Sequence, residues 1–317
     1  MALKDELLRF FCANPQESFS GEQLARQYGV SRAGIWKAVQ ALRSDGFEII
    51  SDPSGYTFTD ANDFLSEEAI RACDPSIDTP VHVFETIDST NNYAKILAAQ
   101  NAPHGTVVIA NHQTAGRGRQ GHSFYSPKNT GLYFSILIHP EHTGLISRIT
   151  PSAAVASAEA IEETCGIRPG IKWVNDLFLG KKKIAGILSE AVSDFETGTI
   201  QTVIIGIGIN CRTSEFPDEI KETAGSLNAV HLQRSFLAAS LRKHLLQRTA
   251  HLEDPETMEL YRRDSIVLGK QIVYTLNNIP YVGIAKAINE EGNLIIEKED
   301  GTSQLLHSGE ISIRDWQ

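Results

Sequence analysis

Four cysteines in 317 residues, no two of them close together, leave this chain without the makings of a disulfide framework. Cys12, Cys73, Cys165 and Cys211 form no CxxC pair. A structural zinc site is equally unsupported, and reduced, mostly buried thiols are expected. No apolar run approaches the ~18 residues of a membrane span, and the opening MALKDELLRFF has no signal-peptide layout. Positive charge is in short supply. Twenty-nine Lys/Arg against 39 Asp/Glu give a net −10, so any binding of nucleic acid or membrane must come from a local patch. No GxxxxGK[ST] occurs, which excludes a P-loop, and there is neither an internal repeat nor a low-complexity tract. These absences point to a cytoplasmic protein with no membrane partner. What is present is ordinary: 41% hydrophobic and 21% charged residues, with a length that suggests two or three domains.

The first ~65 residues read as helices followed by a hairpin. Leu3, Leu7, Leu8 and Phe11 make one helical stripe. Ser20 and Gln23 fit a capping box that opens a second helix, stopped by Gly29. Ser31 can cap a third, SRAGIWKAVQALRSDG, with Ile35, Ala38, Val39 and Leu42 on one face. After Gly46, FEIIS and YTF flank the turn DPSG. This order is that of a winged helix-turn-helix. Residues 1–65 carry six Lys/Arg and nine Asp/Glu, a net of −3, which disfavours DNA. The third helix alone, 31–44, carries Arg32, Lys37 and Arg43 and no acid, a net of +3, as a groove-reading helix requires. The competing reading is a solvated amphipathic face.

ANDFLSEEAIRACDPSIDTP reads as a short helix and linker. From Val81 strands and helices alternate: VHVFETI, helix STNNYAKILAAQ, GTVVIANHQ, GLYFSILI, then a long helix with Thr150 at its cap, Pro151 at its first position and Gly166 past its end. IKWVNDLFL, KKIAGILSEAV and TVIIGIGIN read as further strands, and helical stretches lie at about 231–252 and 255–264. From about 267 only short strands follow, the pattern of a small β-barrel.

The segment GRGRQGH, 116–122, holds no apolar residue and is expected to lack structure of its own when empty. Its glycines let a backbone approach a ligand, and its arginines offer bidentate donors to carboxylate or phosphate. Arg117 and Arg119, two apart, can point to one side of an extended loop. An ordinary surface loop and an RGG-like nucleic-acid segment remain alternatives. In IKWVNDLFLGKKKIAGILSE a strand ends at Asn175–Asp176 and the chain returns after GKKK. Lys183 can project into a site there, and Lys181 and Lys182 read as solvated turn charges. Ser89, Thr90, Asn91 and Asn92 fall at a strand-to-helix junction. Capping explains one or two of them, and four together suit a neutral polar head group. GIGIN, 206–210, is weak alone because it lacks the full GxGxxG.

Taken in order, DSTNN (88–92), QTAGRGRQG (113–121), KWVND (172–176), KKKIAGIL (181–188), GIGIN and GEISIR (309–314) resemble the biotin–protein ligases. With the N-terminal domain the chain resembles their bifunctional members, the biotin operon repressors, along essentially its whole length. It departs from the family's pattern at Gln120, His122 and Phe124, where GRGRRG and a tryptophan are common, and at Val174, where proline is usual.

The resemblance implies an α+β protein in three domains: a winged helix-turn-helix at 1–65, a class II synthetase-like mixed α/β ligase domain at 66–266, and an SH3-like β-barrel at 267–317. It implies biotin, ATP and Mg²⁺ as ligands and a two-step reaction through biotinyl-5′-AMP, ending on a lysine of an acceptor, the biotin carboxyl carrier subunit of acetyl-CoA carboxylase. Lys183, Arg117 and Arg119 would supply the positive field. Ser89, Thr90, Asn91 and Gln113 would meet the ureido ring, with Gly116, Gly118 and Gly186 also lining the biotin site. Lys172, Asn175, Asn210, Phe124 and Arg314 would serve ATP, and Asp176 the metal. Ser31, Arg32, Lys37 and Arg43 would face operator DNA, bound by a homodimer that forms with biotinyl-AMP. Two rivals are a biotin-sensing regulator with an inactive ligase domain, disfavoured by the intact Arg117, Arg119 and Lys183, and a lipoate or octanoate transferase.

Overall fold

The computed structural model describes residues 3–14, 16–44, 47–59, 63, 65–141, 143–193, 198–229, 232–276 and 279–314. The chain divides into two compact units, Met1–Asp78 with Ala229–Ser240, and Thr79–Asn228 with Leu241–Gln317.

In the first unit α1 (Leu3–Ala13), β1 (Ser18–Phe19), α2 (Gly21–Tyr28), α3 (Arg32–Ser44), β2 (Ile49–Asp52), β3 (Gly55–Phe58) and α4 (Glu67–Cys73) follow in order. Both halves of the Ser20–Gln23 capping box form, and Gly29 ends α2 in the left-handed region, φ 64°. Ser31 Oγ accepts from Gly34 N at 3.1 Å at the start of α3. Leu7, Phe11, Leu24, Ile35, Val39, Leu42 and Phe58 close one buried core. β2 and β3 form the wing, and β1 joins it in the order β1-β3-β2. Within this unit Asp63 accepts from Arg234 N and Nε at 2.8 Å each.

The second unit holds β4 (Val81–Phe84), α5 (Thr90–Ala99), β5 (Val107–Ala110), β6 (Gly131–Ile138), α6 (Ile149–Cys165), β7 (Gly170–Lys172), β8 (Asp176–Leu179), β9 (Lys182–Ser193), β10 (Ile200–Asn210) and α8 (Pro255–Arg263). Helix α7 is Arg234–Ala250, inside the expected 231–252. The sheet order is β4-β5-β6-β10-β9-β8-β7, with only β4–β5 parallel. On one face α5 packs Ala94 and Leu97 against Val108, Leu137 and Ile204. On the other, Ile205, Ile207 and Ile209 are buried, and Thr150 of α6 reaches Ser189 at 3.0 Å. Helix α6 begins at Ile149, one residue before the expected cap, continuing directly from a 3-10 turn at Thr143–Arg148, and the Thr150 hydroxyl faces the sheet and does not cap it. IKWVNDLFL is a hairpin, not one strand. Its turn is pinned where buried Trp173 donates Nε1–H to Gly292 O at 2.9 Å.

That bond also docks the C-terminal strands β11 (Gln271–Leu276), β12 (Ile279–Ile288), β13 (Leu294–Lys298), β14 (Ser303–Leu306) and β15 (Ile311–Ile313). They form an antiparallel sheet ordered β14-β13-β12-β11-β15. No pairing of β14 with β15 closes it into a barrel among the described residues. No helix among the described residues is long and apolar enough to cross a membrane.

Candidate active site

The register of three central strands builds the floor of a cleft. Tyr133, Gly208 and Gly186 form one cross-strand row; Ser135, Gly206 and Leu188 form the next; Leu137, Ile204 and Glu190 the third. Strand alternation sends the isoleucines of GIGIN into the core and its glycines to the α5 face. A methyl on Gly206 would lie 2.1 Å from Asn91 Oδ1, and one on Gly208 2.3 Å from the Phe124 ring. The glycines are therefore spacers under other side chains, which explains a motif that read weakly as a phosphate loop. The cleft, with its open mouth included, measures about 470 Å³.

Its polar wall is the start of α5. Thr90 N and Oγ1 lie 2.8 and 3.1 Å from Gln113 Oε1, so a distant glutamine caps the helix. Ser89 sits at the cap position but makes no cap bond with its side chain; it is buried and lines the cleft. Asn91 donates to Glu190 Oε2 at 2.9 Å, while Asn92 is held outside the cleft by Asp88 at 2.7 Å.

In the Gly/Arg segment the order is carried by the backbone. Gly118 N donates to His122 O at 2.7 Å, Phe124 N donates to Gly116 O at 2.9 Å, and Arg117 bridges Ser123. Backbone pairing supplies the order that side chains without apolar surface do not. Gly116 is required by packing, since a methyl there would lie 2.4 Å from Phe124 O. Both arginines line the cleft, but they brace different walls. Arg117 reaches Asn92 Oδ1 at 3.1 Å and Glu190 at 3.7 Å. Arg119 reaches Asn175 Oδ1 at 3.0 Å, and Asn175 in turn holds Ile187 O at 2.8 Å.

Lys183 Nζ lies 2.7 Å from Asp176 Oδ1. Its neighbour Lys182 is not a solvated charge: it donates to Lys221 O and Glu222 O at 3.0 and 2.7 Å. Lys172 lies outside the cleft lining, its ammonium over the Phe178 ring at 5.5 Å. Burial, with the charge of Lys183 adding to it, holds Lys172 below the usual lysine range against the pull of Asp176 and Glu310. Glu310 comes from the C-terminal sheet and also meets His122 at 3.3 Å. Arg314 is exposed on that sheet, bonded through its backbone to Gln271.

A second cleft of about 460 Å³ shares Phe124 and Lys183 with the first and adds Tyr125, Phe216 and Asn210. Buried Asn210 donates Nδ2–H to Gly225 O at 2.9 Å, and its Oδ1 has no partner. Such an acceptor is costly unless a ligand supplies a donor. Among the described residues no three His, Cys, Asp or Glu side chains converge as a metal cage.

In the first unit Ser31, Arg32 and Lys37 are exposed. Arg43 donates instead to Ile49 O, 3.0 Å from Nε, and to Ser51 Oγ at 2.6 Å, tying α3 to the wing. Trp36, 54% exposed on α3, was not singled out from sequence, although an aromatic off the apolar stripe marks it. Glu190, Lys95 and Ser135 were also missed. Glu190 could have been found by its alternation with Gly186 and Leu188 in KKIAGILSE. Ser135 reads only as a break in an apolar strand.

Residues 83–210 match the biotin/lipoate A/B protein ligase family, 4–57 a helix-turn-helix domain, and 267–314 the biotin protein ligase C-terminal domain. The Bacillus subtilis protein named bifunctional ligase/repressor BirA is 32% identical over 98% of both chains. The Mycobacterium tuberculosis biotin–[acetyl-CoA-carboxylase] ligase is 27% identical over 70% of this chain and 85% of its own. A solved Aquifex aeolicus biotin protein ligase, in complex with biotin and ATP, superposes with a TM-score of 0.63 at 28% identity, over 74% of this chain and 98% of that one.

Proposed function

This chain belongs to the biotin–protein ligase family, and on that premise we propose that it adenylates biotin, transfers it to an acceptor lysine and uses the adenylate as the signal for repression. The observation that carries the ligase half is the pair of clefts meeting at Phe124 and Lys183. The first, with its polar wall of Ser89, Thr90 and Asn91, suits the ureido ring. The second, with Phe124, Tyr125 and Phe216 and the unpaired Asn210 Oδ1, suits a purine whose exocyclic amine donates.

The carboxylate of biotin attacks the α-phosphorus of ATP, forming the mixed anhydride biotinyl-5′-AMP and releasing pyrophosphate. A lysine amine of the acceptor then attacks the anhydride carbonyl, forming an amide and releasing AMP. Bringing a carboxylate to a polyphosphate opposes like charges, so fixed cations serve this step better than an acid–base pair. Lys183 stands where the clefts join, and Arg117 and Arg119 flank the first. This reading also expects nucleotide contacts from Lys172, Asn175 and Arg314; Asn175 lines the first cleft, whereas Lys172 and Arg314 line neither. A magnesium ion carried in on the phosphates needs only one or two protein carboxylates. Asp176 fits that role. The acceptor fitting this reading is a biotin carboxyl carrier subunit. Exposed Arg32 and Lys37 on α3 suit DNA phosphates, and a dimer held by the adenylate suits a palindromic operator.

Biotin-dependent ATP–pyrophosphate exchange tests the ligase reading. Exchange that requires biotin supports it, and its absence leaves a regulator with an inactive ligase domain. Arg119→Ser is expected to speed release of biotinyl-AMP about 10-fold, as the loss of one charged hydrogen bond implies. The freed anhydride then labels bystander lysines, read by mass spectrometry; unchanged release and no stray labelling remove Arg119 from adenylate retention. Gly206→Ala forces Asn91 aside and is expected to raise the KM for biotin roughly 10-fold, leaving that for ATP unchanged. An unchanged biotin KM would contradict the placement of the ureido ring beside Asn91.

A further inference from the structure

We propose that Lys182, which lines neither cleft, is a positioning residue: it fastens the segment 215–225 to the start of β9 and so shapes the cleft that takes the nucleotide. The proposal rests on the purine reading of the second cleft. Phe216, Ile220, Thr223 and Ala224 of this one segment line that cleft. The segment is built of short turns. Lys221 N donates to Pro217 O at 3.0 Å, and Thr223 N and Ala224 N donate to Ile220 O at 2.9 and 2.7 Å. Turns this short are marginal alone, so what ties them to β9 decides where the wall stands.

Two consecutive lysines hold three consecutive carbonyls at the end of the segment. Lys182 Nζ donates to Lys221 O at 3.0 Å and to Glu222 O at 2.7 Å. Lys183 N donates to Thr223 O at 2.7 Å. An ammonium is a charge-assisted donor, stronger than a neutral one. The strength matters because residues 215–222 carry Glu215, Asp218, Glu219 and Glu222 against Lys221, a net of −3. An arriving polyphosphate pushes such a segment outward. Beyond Thr223 the attachment continues. Gly225 N donates to Lys183 O at 2.8 Å, and Gly225 O accepts from Asn210 Nδ2 at 2.9 Å. A methyl on Gly225 would lie 2.6 Å from Lys182 Cβ, so the chain crosses directly over this lysine. The Asn210–Gly225 bond also fixes the orientation of the unpartnered Asn210 Oδ1. If the segment slips, Ile220, Thr223 and Ala224 leave the wall and Asn210 loses the bond that orients its oxygen. Lys182 thus acts on the nucleotide through the segment, without touching it.

The test uses the full chain in biotin-dependent ATP–pyrophosphate exchange. Lys182→Met keeps most of the stem and removes the donors. It is expected to raise the KM for ATP about 10-fold, as the loss of charge-assisted bonds implies. The kcat is expected to stay within a few-fold, and the Kd for biotin, by calorimetry without ATP, to stay unchanged. Lys182→Arg keeps the charge and the donors and is expected to bring the ATP KM back to within a few-fold of the unaltered protein. An unchanged ATP KM in folded Lys182→Met overturns the proposal. So does an equal loss of biotin affinity, which marks damage to the whole domain, or a Lys182→Arg no better than Lys182→Met. If Lys182→Met does not fold, Lys182→Gln, too short to span both carbonyls, decides by the same readings. If the unaltered protein shows no biotin-dependent exchange, the purine reading itself fails and the role of Lys182 fails with it, an outcome distinct from an unchanged KM in an active variant.

Discussion

Lys183→Ala is expected to slow single-turnover formation of biotinyl-AMP by on the order of 100-fold or more, the usual loss when one fixed donor at developing negative charge is removed. The fold is expected to survive. The Lys183–Asp176 pair is partly exposed, with side chains 35% and 20% accessible, and pairs of this kind contribute at most about 1 kcal/mol. Lys183 is also held by its backbone, with its N–H bonded to Thr223 O at 2.7 Å, so truncating the side chain leaves the start of β9 in place. What the variant loses is the charge at the junction of the two clefts, where a carboxylate oxygen and the α-phosphate must meet. A Lys183→Ala rate within a few-fold of wild type removes Lys183 from the chemistry.

What the sequence could yield about this site divides along physical lines. Residues that act singly at element ends were legible. Ser20, Gly29 and Ser31 announce helix ends by chemistry local to a few positions. Ser89, Thr90, Asn91, Gln113, Arg117, Gly118, Arg119, Phe124, Asn175, Lys183 and Gly186 all line one cleft. Residues whose role depends on what crosses from another strand were not. Gly206 matters because Asn91 reaches over it from α5, and Glu190 because Asn91, Lys95 and Arg117 converge on it. Neither fact is visible along β9 or β10 alone. The same limit explains IKWVNDLFL. Its apolar run reads as one strand, and the turn at Trp173 exists because Gly292 O, more than a hundred residues away, takes the indole N–H. It explains the Gly/Arg segment too: its composition forbids a core, but a hairpin held by backbone bonds needs none. Arg43 looked like a third phosphate contact by charge alone, until Ile49 and Ser51 claimed it.

Biotinyl-5′-AMP is expected to raise affinity for a palindromic operator by roughly 10- to 100-fold and to shift the protein from monomer to dimer. A single copy is poorly equipped to bind DNA. Residues 1–65 carry a net −3, and with Arg43 tied to the wing, α3 presents Arg32 and Lys37 as its exposed cations. Few phosphate contacts mean few counterions released and weak binding at physiological salt. Two copies on two half-sites double those contacts and make the second binding event intramolecular. A ligand that stabilises the dimer then raises DNA affinity without touching DNA. Linkage requires the reverse as well, so operator DNA must tighten biotinyl-AMP binding by the same factor. Arg32→Ala is expected to weaken operator binding and to lower the salt slope by about 1 per protomer, with ligation intact. Trp36 stands exposed beside these cations, so its fluorescence offers an independent signal of DNA closing on α3. Sedimentation with and without the adenylate, and operator titrations over a range of salt, decide the matter. If the adenylate leaves both self-association and operator affinity unchanged, the ligase chemistry stands and the ligand-controlled repressor does not. If Arg32→Ala leaves the salt slope unchanged, α3 is not the element that faces the phosphates.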